Sequence, residues 1–424
     1  MLPSKITKYL RSRGIQGPWR ITGEGGSDFA GAVVIPALAE SAHLFDTLRS
    51  LAENPAELLS RFLVLVVVNN REDAYEADKA DNRVTLERLG NGDPTFVDLR
   101  LAWVDAASEG FELPSGKGGV GLARKIGFDL ALSRLDFSSS ETILVALDGD
   151  TLVRPDYLPA LVRHFRASRA GGAVIPFRHQ PGRTPEERGA IHRYELFLRG
   201  YVLGLSTAGS PYAFHTVGSA MACTANAYAG IGGMNSRVAA EDFYFLQQLK
   251  KTFGVEGVKG AVVYPSARSS HRVPFGTGRS VSRLLSGEES AVLFYQPECF
   301  SILGRWLSLV EACLGEEGSV IRSRAEEISP HLGEYLDGAR FVEGWEKLRI
   351  NNRDATALHA AFHAWFDGLR TLKLVHHLSD GPLPRGEGRD LLPPLLESAG
   401  LEPFHDPDDQ LALLRRVQSD YACQ

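Results

Sequence analysis

The sequence predicts an α/β fold, with a doubly wound, mostly parallel sheet over residues 1–285 and a helical region over residues 286–424. Three observations carry this. Strand-like apolar runs alternate with segments of helical spacing along the first part of the chain. One of those runs, "RFLVLVVVNN" (61–70), is almost continuously apolar and rich in valine, the pattern of a strand buried on both faces. Beyond residue 285 the strand signals stop, and helical segments follow one another between Gly and Pro breaks.

Taken in order, "GAVVIPAL" (31–38) is a short apolar run stopped by Pro36, and "AHLFDTLRSLAE" (42–53) has helical spacing. After the 61–70 strand, "VGLARKIGFDLALSRL" (120–135) reads as an amphipathic helix and "ETILVALD" (141–148) as a third buried strand. A helix over "YLPALVRHFRAS" (157–168) and a strand over "GGAVIPF" (171–177) continue the alternation, and "GAVVYP" (260–265) is strand-like. In such sheets a ligand crevice lies beyond the carboxyl ends of the strands, where "IPALAE", "VNN" and "DGD" fall. The later helical segments include "RWLSLVEACLG", "VIRSRAEEISPHLGEYL" and "ALHAAFHAWFDGLRTLKLVHHL", with "SDGPLPRGEGRD" (379–390) as an exposed loop.

Composition narrows the function classes. The chain has 424 residues, 44% hydrophobic and 23% charged, enough to bury a large core. A formal net charge of −6 offers no polybasic field, so nucleic acid is not an expected partner. Cys223, Cys299, Cys313 and Cys423 are scattered without a C-x-x-C pair, which suggests neither a disulfide framework nor a zinc site and fits a reducing cytoplasm. The basic start lacks an apolar core and no long apolar run follows, so neither a secretory signal nor a membrane span is expected. Peripheral contact with a membrane through an amphipathic face stays open.

Four stretches carry chemistry. In "LVALDGDTLVRPDYL" a buried strand ends in Asp148 and Asp150, one glycine apart. Two like charges there repel unless a cation lies between them or both face water. They suit a hard divalent cation bridged to phosphate oxygens, or else a solvated turn before a helix with Pro155 in an early position. In "GKGGVGLARKIG" (116–127), Lys117, Arg124 and the glycines at a helix start suit a phosphate-bearing ligand, although the P-loop spacing is absent. In "GIGGMNSRVAAEDFYFLQQLKK" (230–251), Gly232 and Gly233 indicate a tight turn, and Glu241 and Asp242 open a helix. Acids in that position stabilise the helix dipole, and one of them could act as a general base. His271, in "SSHRVPFGTGRS", could ligate a metal, with Arg272 and Arg279 available to phosphates.

In their order, "VVIPALAES", "VLVVVNN", "GKGGVGLARKIG", "LVALDGDT", "GSAMACTANAYAGIGGMN" and "AEDFYFLQQLKK" resemble the glycosyltransferase family 2 pattern on the GT-A fold, over residues 31 to 275. The resemblance implies a nucleoside-diphosphate sugar donor, a hydroxyl acceptor and Mg²⁺ or Mn²⁺. It implies that Ala37, Glu40, Asn69 and Asn70 line the nucleoside pocket, that Asp148 contacts the nucleotide and that Asp150 holds the metal. Lys117 and Arg124 would contact the donor side. Asp242 would deprotonate the acceptor for in-line, inverting attack, and its helix N-terminus would keep it ionised.

The chain departs from that pattern in places. Asn69 and Asn70 stand where the family usually has an Asp, and the Q-x-x-R-W motif and membrane helices of processive synthases are missing, which favours single addition. "GKGG" with a later His is also similar to retaining enzymes of the glucosylglycerate and mannosylglycerate synthase type, where His271 would complete the metal site and Asp242 would position acceptor. A sugar-nucleotide pyrophosphorylase would need a G-x-G-x-R loop after the first strand, and none is present. A catalytically degenerate nucleotide-sugar-binding protein is the non-enzymatic alternative. The helical region would shape the acceptor side or a homo-oligomer interface.

Overall fold

A computed structural model describes residues 2–116, 118–138, 142–237, 240–269 and 276–420. Lys117 and His271 lie outside the described residues. The chain forms two compact units, one of Met1–Ile191, Thr216–Ser282 and Gln418–Gln424, the other of His192–His215 and Arg283–Val417. The second unit therefore includes a segment well upstream of residue 286.

The first unit is built on one eight-stranded sheet. Its strands are β1 (Ile21–Gly23), β2 (Gly31–Ala37), β3 (Phe62–Asn69), β4 (Arg100–Ala106), β5 (Ile143–Ala146), β6 (Gly172–Val174), β7 (Met221–Thr224) and β8 (Val255–Gly257). They lie in the order β1-β4-β3-β2-β5-β7-β6-β8. The neighbours β2–β3, β3–β4, β2–β5 and β6–β8 are parallel, and β1–β4, β5–β7 and β6–β7 antiparallel. The expected α/β class with a mostly parallel sheet is thus what forms.

Every residue of β2 and β3 is buried. Each valine or leucine so removed from water contributes roughly 1.5–3 kcal/mol. The Val120–Ala131 helix covers both strands and comes close because of one residue: a Cβ on Gly127 would stand 2.3 Å from Val34 Cγ1. Glycine is equally required at Gly31, where a Cβ would meet the Ile143 carbonyl at 2.7 Å. β2, β3 and β5 run parallel, so Ala37, Asn69 and the residues after Ala146 emerge along one edge. β4 was not expected from the sequence, although its burial alternates residue by residue in the second half, as in a half-covered strand. "GAVVYP" makes only the isolated bridges Phe177–Val263 and Leu152–Tyr264.

The N-terminal helix Ser4–Arg13 is held by a buried polar knot. Tyr9 and Tyr228 each donate to Asp129 Oδ1 at 2.7 Å, and Lys125 donates to Oδ2 at 2.8 Å. Gly232 and Gly233 form the expected tight turn, with φ of 89° and 80°. A side chain at Gly233 would also run into Tyr9, whose hydroxyl lies 1.9 Å from the Cβ position.

The second unit is helical among its described residues, as expected. It includes Pro297–Ala312, Gly318–Ile328, Pro330–Gly338, Phe341–Asn351, Ala355–Trp365, Gly368–Ser379 and Gly388–Ser398. Asp354 and Asp367 cap two of these helices through their side chains. Trp306, Phe341, Phe362 and Phe366 form its aromatic core, with the Trp306 ring centroid 5.1 Å from that of Phe341 and 5.9 Å from that of Phe366. Buried Glu195 accepts from Arg199 Nε at 2.9 Å and Arg415 Nε at 2.7 Å, so its charge is compensated. No described helix is long and apolar enough to cross a membrane.

Candidate active site

The "DGD" turn lies at the carboxyl edge of the sheet, just beyond β5. Leu147 still donates its N–H to the Val34 carbonyl, and the chain then turns with Thr151 N–H on the Asp148 carbonyl at 3.1 Å. Thr47 Oγ1 donates to the Gly149 carbonyl at 3.1 Å. A Cβ on Gly149 would stand 3.2 Å from Glu40 Cγ, so glycine is what lets Glu40 pack against the turn.

Each aspartate has its own arginine. Arg124, on the Val120–Ala131 helix and 2% exposed, donates from Nη2 to Asp148 and from Nη1 to Glu241. Gly218 makes room for this guanidinium, since a Cβ there would stand 2.4 Å from Arg124 Nη2. Arg268 donates from Nε to Asp150 Oδ2 at 2.9 Å and from Nη2 to both carboxylate oxygens of Glu40. Burial opposes the charge on both arginines, but Asp148 and Glu241 in one case and Asp150 and Glu40 in the other hold it firmly. Burial and then the Arg268 charge keep His43 below the ordinary histidine range. Gln180 Nε2 donates to the Asp150 carbonyl at 2.9 Å and fixes the far side of the turn.

The acid pair sits across Arg124 from Asp148. Glu241 is 4% exposed and opens the Glu241–Phe253 helix beside Asp242, which is half-buried. Gly121 permits this approach: a Cβ there would lie 2.6 Å from the Arg237 carbonyl and 2.9 Å from Glu241 Cβ. At least one glycine of "GKGGVG" therefore serves close packing between the Arg124 helix and the loop before Glu241. Burial, then the Glu241 charge, push Asp242 up to about 7, against the opposing pull of Arg124 and the Phe243 N–H. The helix N-terminus alone was expected to keep this group low; loss of water outweighs it.

At the β2–β3 end of the edge, Ala37 is fully buried as the last residue of β2. Asn82 ties this end together, accepting from the Ala39 N–H at 2.9 Å and donating to the Asn69 carbonyl at 3.0 Å and Asn70 Oδ1 at 2.8 Å. Asn70 also donates to the Arg71 carbonyl. Asn69 Oδ1 is buried and has no donor among the described residues. Gly118 packs on Leu113 and Arg71, and Leu113 N–H donates to the Asn70 carbonyl, so the glycine-rich loop borders the same edge.

The structure thus brings Arg124, Asp148 and the Glu241–Asp242 pair into one ionic group and Glu40, Asp150 and Arg268 into a second at the same turn, with Asn69 and Asn70 on the same sheet edge. Arg268, Asn82 and Gly218 were not singled out in the sequence; each earns its place through a partner at least 12 residues away, and no local pattern marks them. Among the described residues, five carboxylates (Glu40, Asp148, Asp150, Glu241, Asp242) face two guanidiniums (Arg124, Arg268), a formal excess of three negative charges within that set when all are ionised. Hard oxygen donors with surplus negative charge fit Mg²⁺ or Mn²⁺, which takes one or two carboxylates and completes its shell with water and phosphate oxygens.

Fold and site together define an α/β protein with an acidic, arginine-braced cluster at the carboxyl edge of a mostly parallel sheet. No family model matches the sequence, and no curated protein matches it. Several solved structures are similar to it at low identity. One is S. aureus TarS 1-349 in complex with UDP-GlcNAc, 13% identical over 82% of this chain and 91% of that one, with a TM-score of 0.39. A second is the mannosyltransferase PcManGT from Pyrobaculum calidifontis in complex with GDP-Man and Mn²⁺, 14% identical over 98% and 94%, with a TM-score of 0.37. A third is GalNAc-T7 with UDP, GalNAc and Mn²⁺, 14% identical over 62% and 48%, with a TM-score of 0.32.

Proposed function

We propose that this protein is a nucleotide-sugar glycosyltransferase that moves one sugar from a nucleoside-diphosphate donor to an acceptor hydroxyl. The observation that carries the reading is the buried Arg124, which ties the strand-end Asp148 to Glu241 of the Glu241–Asp242 pair in one ionic unit. A donor's diphosphate and an acceptor's base must lie within one sugar ring of each other, and this linkage supplies that proximity.

In the proposed mechanism the base edge of the nucleoside meets the sheet edge at Asn69, whose buried Oδ1 is an acceptor awaiting an N–H or O–H donor. Glu40, Asn70 and the β2 end after Ala37 would complete that pocket, and Lys117, outside the described residues, would contact the phosphates. Arg124 has both Nη groups engaged by Asp148 and Glu241, so its part in donor binding is to orient Asp148. Asp150, with Asp148 and His271, would hold Mg²⁺ or Mn²⁺, which supplies charge neutralisation for the departing diphosphate. Arg268, which pairs with Asp150 here, would turn to phosphate oxygens in the donor complex. Asp242, poised near neutrality, accepts the acceptor hydroxyl proton as the oxygen attacks the anomeric carbon, with inversion. The buried, unbridged Cys223, Cys299 and Cys313 fit a cytoplasmic setting.

The test is a transfer assay over UDP-, GDP- and dTDP-sugars with Mn²⁺ or Mg²⁺ and a panel of hydroxyl acceptors, with the product's anomeric configuration read by NMR. Transfer with inversion supports the reading. Retention of configuration moves the base role off Asp242, and binding of donor without hydrolysis or transfer would make the protein a nucleotide-sugar-binding module.

A further inference from the structure

The second unit contains a side-chain cluster that the transferase reading does not use. His331 and Glu334 are three residues apart on the Pro330–Gly338 helix and so share a face. His377, in the last turn of Gly368–Ser379, packs against that face. His331 Nδ1 lies 3.0 Å from Glu334 Oε2, His377 Nε2 lies 3.8 Å from the same oxygen, and the three candidate ligand atoms all fall within 4.8 Å of one another. Among the described residues this is the one trio of His, Cys, Asp or Glu that meets that spacing.

We propose that His331, Glu334 and His377 form a binding site for a Zn²⁺-class divalent ion. Four ligands held tetrahedrally at about 2.0–2.1 Å from zinc stand roughly 3.3 Å apart, and the observed 3.0 and 3.8 Å separations bracket that value. The donor set is two imidazoles and one carboxylate, which favours a late first-row metal over Mg²⁺ or Ca²⁺. His377 Nε2 is buried and has no hydrogen-bond partner among the described residues, so the lone pair of its neutral tautomer is available. Tyr335 buttresses the site: its hydroxyl donates to the Arg370 carbonyl at 2.7 Å, and its ring lies 5.9 Å from that of His377. Three protein ligands leave a fourth position for water. An ion there cross-links two helices that are separate in sequence and stabilises the folded unit by mass action.

The bland alternative is a half-exposed His331–Glu334 ion pair with a neighbouring histidine. A second histidine pair in the same unit, His359 and His363 with Nε2 atoms 3.2 Å apart, is the competing metal ligand. The experiment uses full-length protein stripped with chelator, titrated with Zn²⁺ against a chromophoric competitor and with Co²⁺ followed by visible absorption, alongside melting curves with and without Zn²⁺. The parent is expected to bind one Zn²⁺ in competition, to show the intense visible bands of low-coordinate Co²⁺, and to melt higher with zinc. His331→Ala, His377→Ala and Glu334→Gln should each weaken binding at least about tenfold, the scale on which even outer partners of a metal matter. His331→Ala/His377→Ala should abolish the zinc-dependent rise in Tm while its metal-free circular dichroism matches the parent. Should that double variant fail to fold, Glu334→Gln carries the same test with an isosteric change. Unchanged zinc affinity in Glu334→Gln and the double variant, loss only in His359→Ala/His363→Ala, or no binding by the parent overturns the proposal.

Discussion

Arg268 Nε donates to Asp150 Oδ2 across 2.9 Å, and the same guanidinium grips Glu40 through Nη2. A cation therefore already stands against the second carboxylate of "DGD", and a divalent ion must compete with it. Unit charges 4 Å apart interact by about 4 kcal/mol at an effective dielectric near 20, and closer ones by more. Arg268→Ala should consequently tighten Mn²⁺ binding in the absence of nucleotide by about tenfold or more, while weakening the donor once bound. Mn²⁺ titration followed by electron paramagnetic resonance checks this. Weaker or unchanged Mn²⁺ binding would place the metal elsewhere.

Asp150→Ala removes the carboxylate that the metal would share with the diphosphate. Metal-dependent binding of nucleoside diphosphate should be lost while the melting temperature stays near the parent's, because Asp150 is not part of the strand core. Calorimetry with UDP and GDP, with and without Mn²⁺, reads both quantities. Unchanged affinity with unchanged metal dependence would contradict the assignment.

Asp242→Asn keeps the shape of the side chain and removes its basicity. It should cut kcat by at least about 10²-fold with donor binding retained. In the parent, kcat/KM should rise with pH through a limb near about 7, where Asp242 loses its proton. An activity profile flat between pH 5.5 and 8 would remove Asp242 from the rate-determining proton transfer.

The same group makes a stability prediction of opposite direction. A carboxyl raised from 3.8 to about 7 binds its proton more tightly in the folded chain than in the unfolded one. Its contribution is fully present below about pH 4 and is lost as pH rises through about 7. Asp242→Asn, neutral throughout, should therefore melt higher than the parent at pH 8, with the difference closing toward pH 4. Melting curves over that range test it; a lower Tm at pH 8 would show that the Asp242 carboxylate is ionised without cost in the folded chain.

Arg124→Met deletes the cation between Asp148 and Glu241 and leaves the buried Glu241 and the half-buried Asp148 without it. Breaking such a pair from one side costs about 3–5 kcal/mol. The denaturation midpoint at pH 7.5 should fall accordingly, and part of the loss should return at pH 5, where the orphaned acids protonate. A variant as stable as the parent at pH 7.5 would mean that the ionic unit is not closed as described.

Much of the scaffold was decided by the sequence alone, because it is encoded by neighbours in the chain. The uninterrupted apolar run from Phe62 to Val68 can only be satisfied by a strand covered on both faces. Gly232 and Gly233 announce positive φ where side chains are costly, and the turn has it at both. The helical region beyond residue 285 follows from spacing and breaks of the same local kind. β4 was legible in principle through its alternating second half and was missed. What tertiary structure alone decided is which charges meet. Arg124 finds Glu241 at a separation of 117 residues, and Arg268 finds Glu40 at a separation of 228. No periodicity or propensity links such positions. Asp242 shows the physical reason most directly: its place at a helix start is local and lowers its pKa, whereas the burial and the Glu241 and Asp148 charges that raise it to about 7 exist only once the chain is packed.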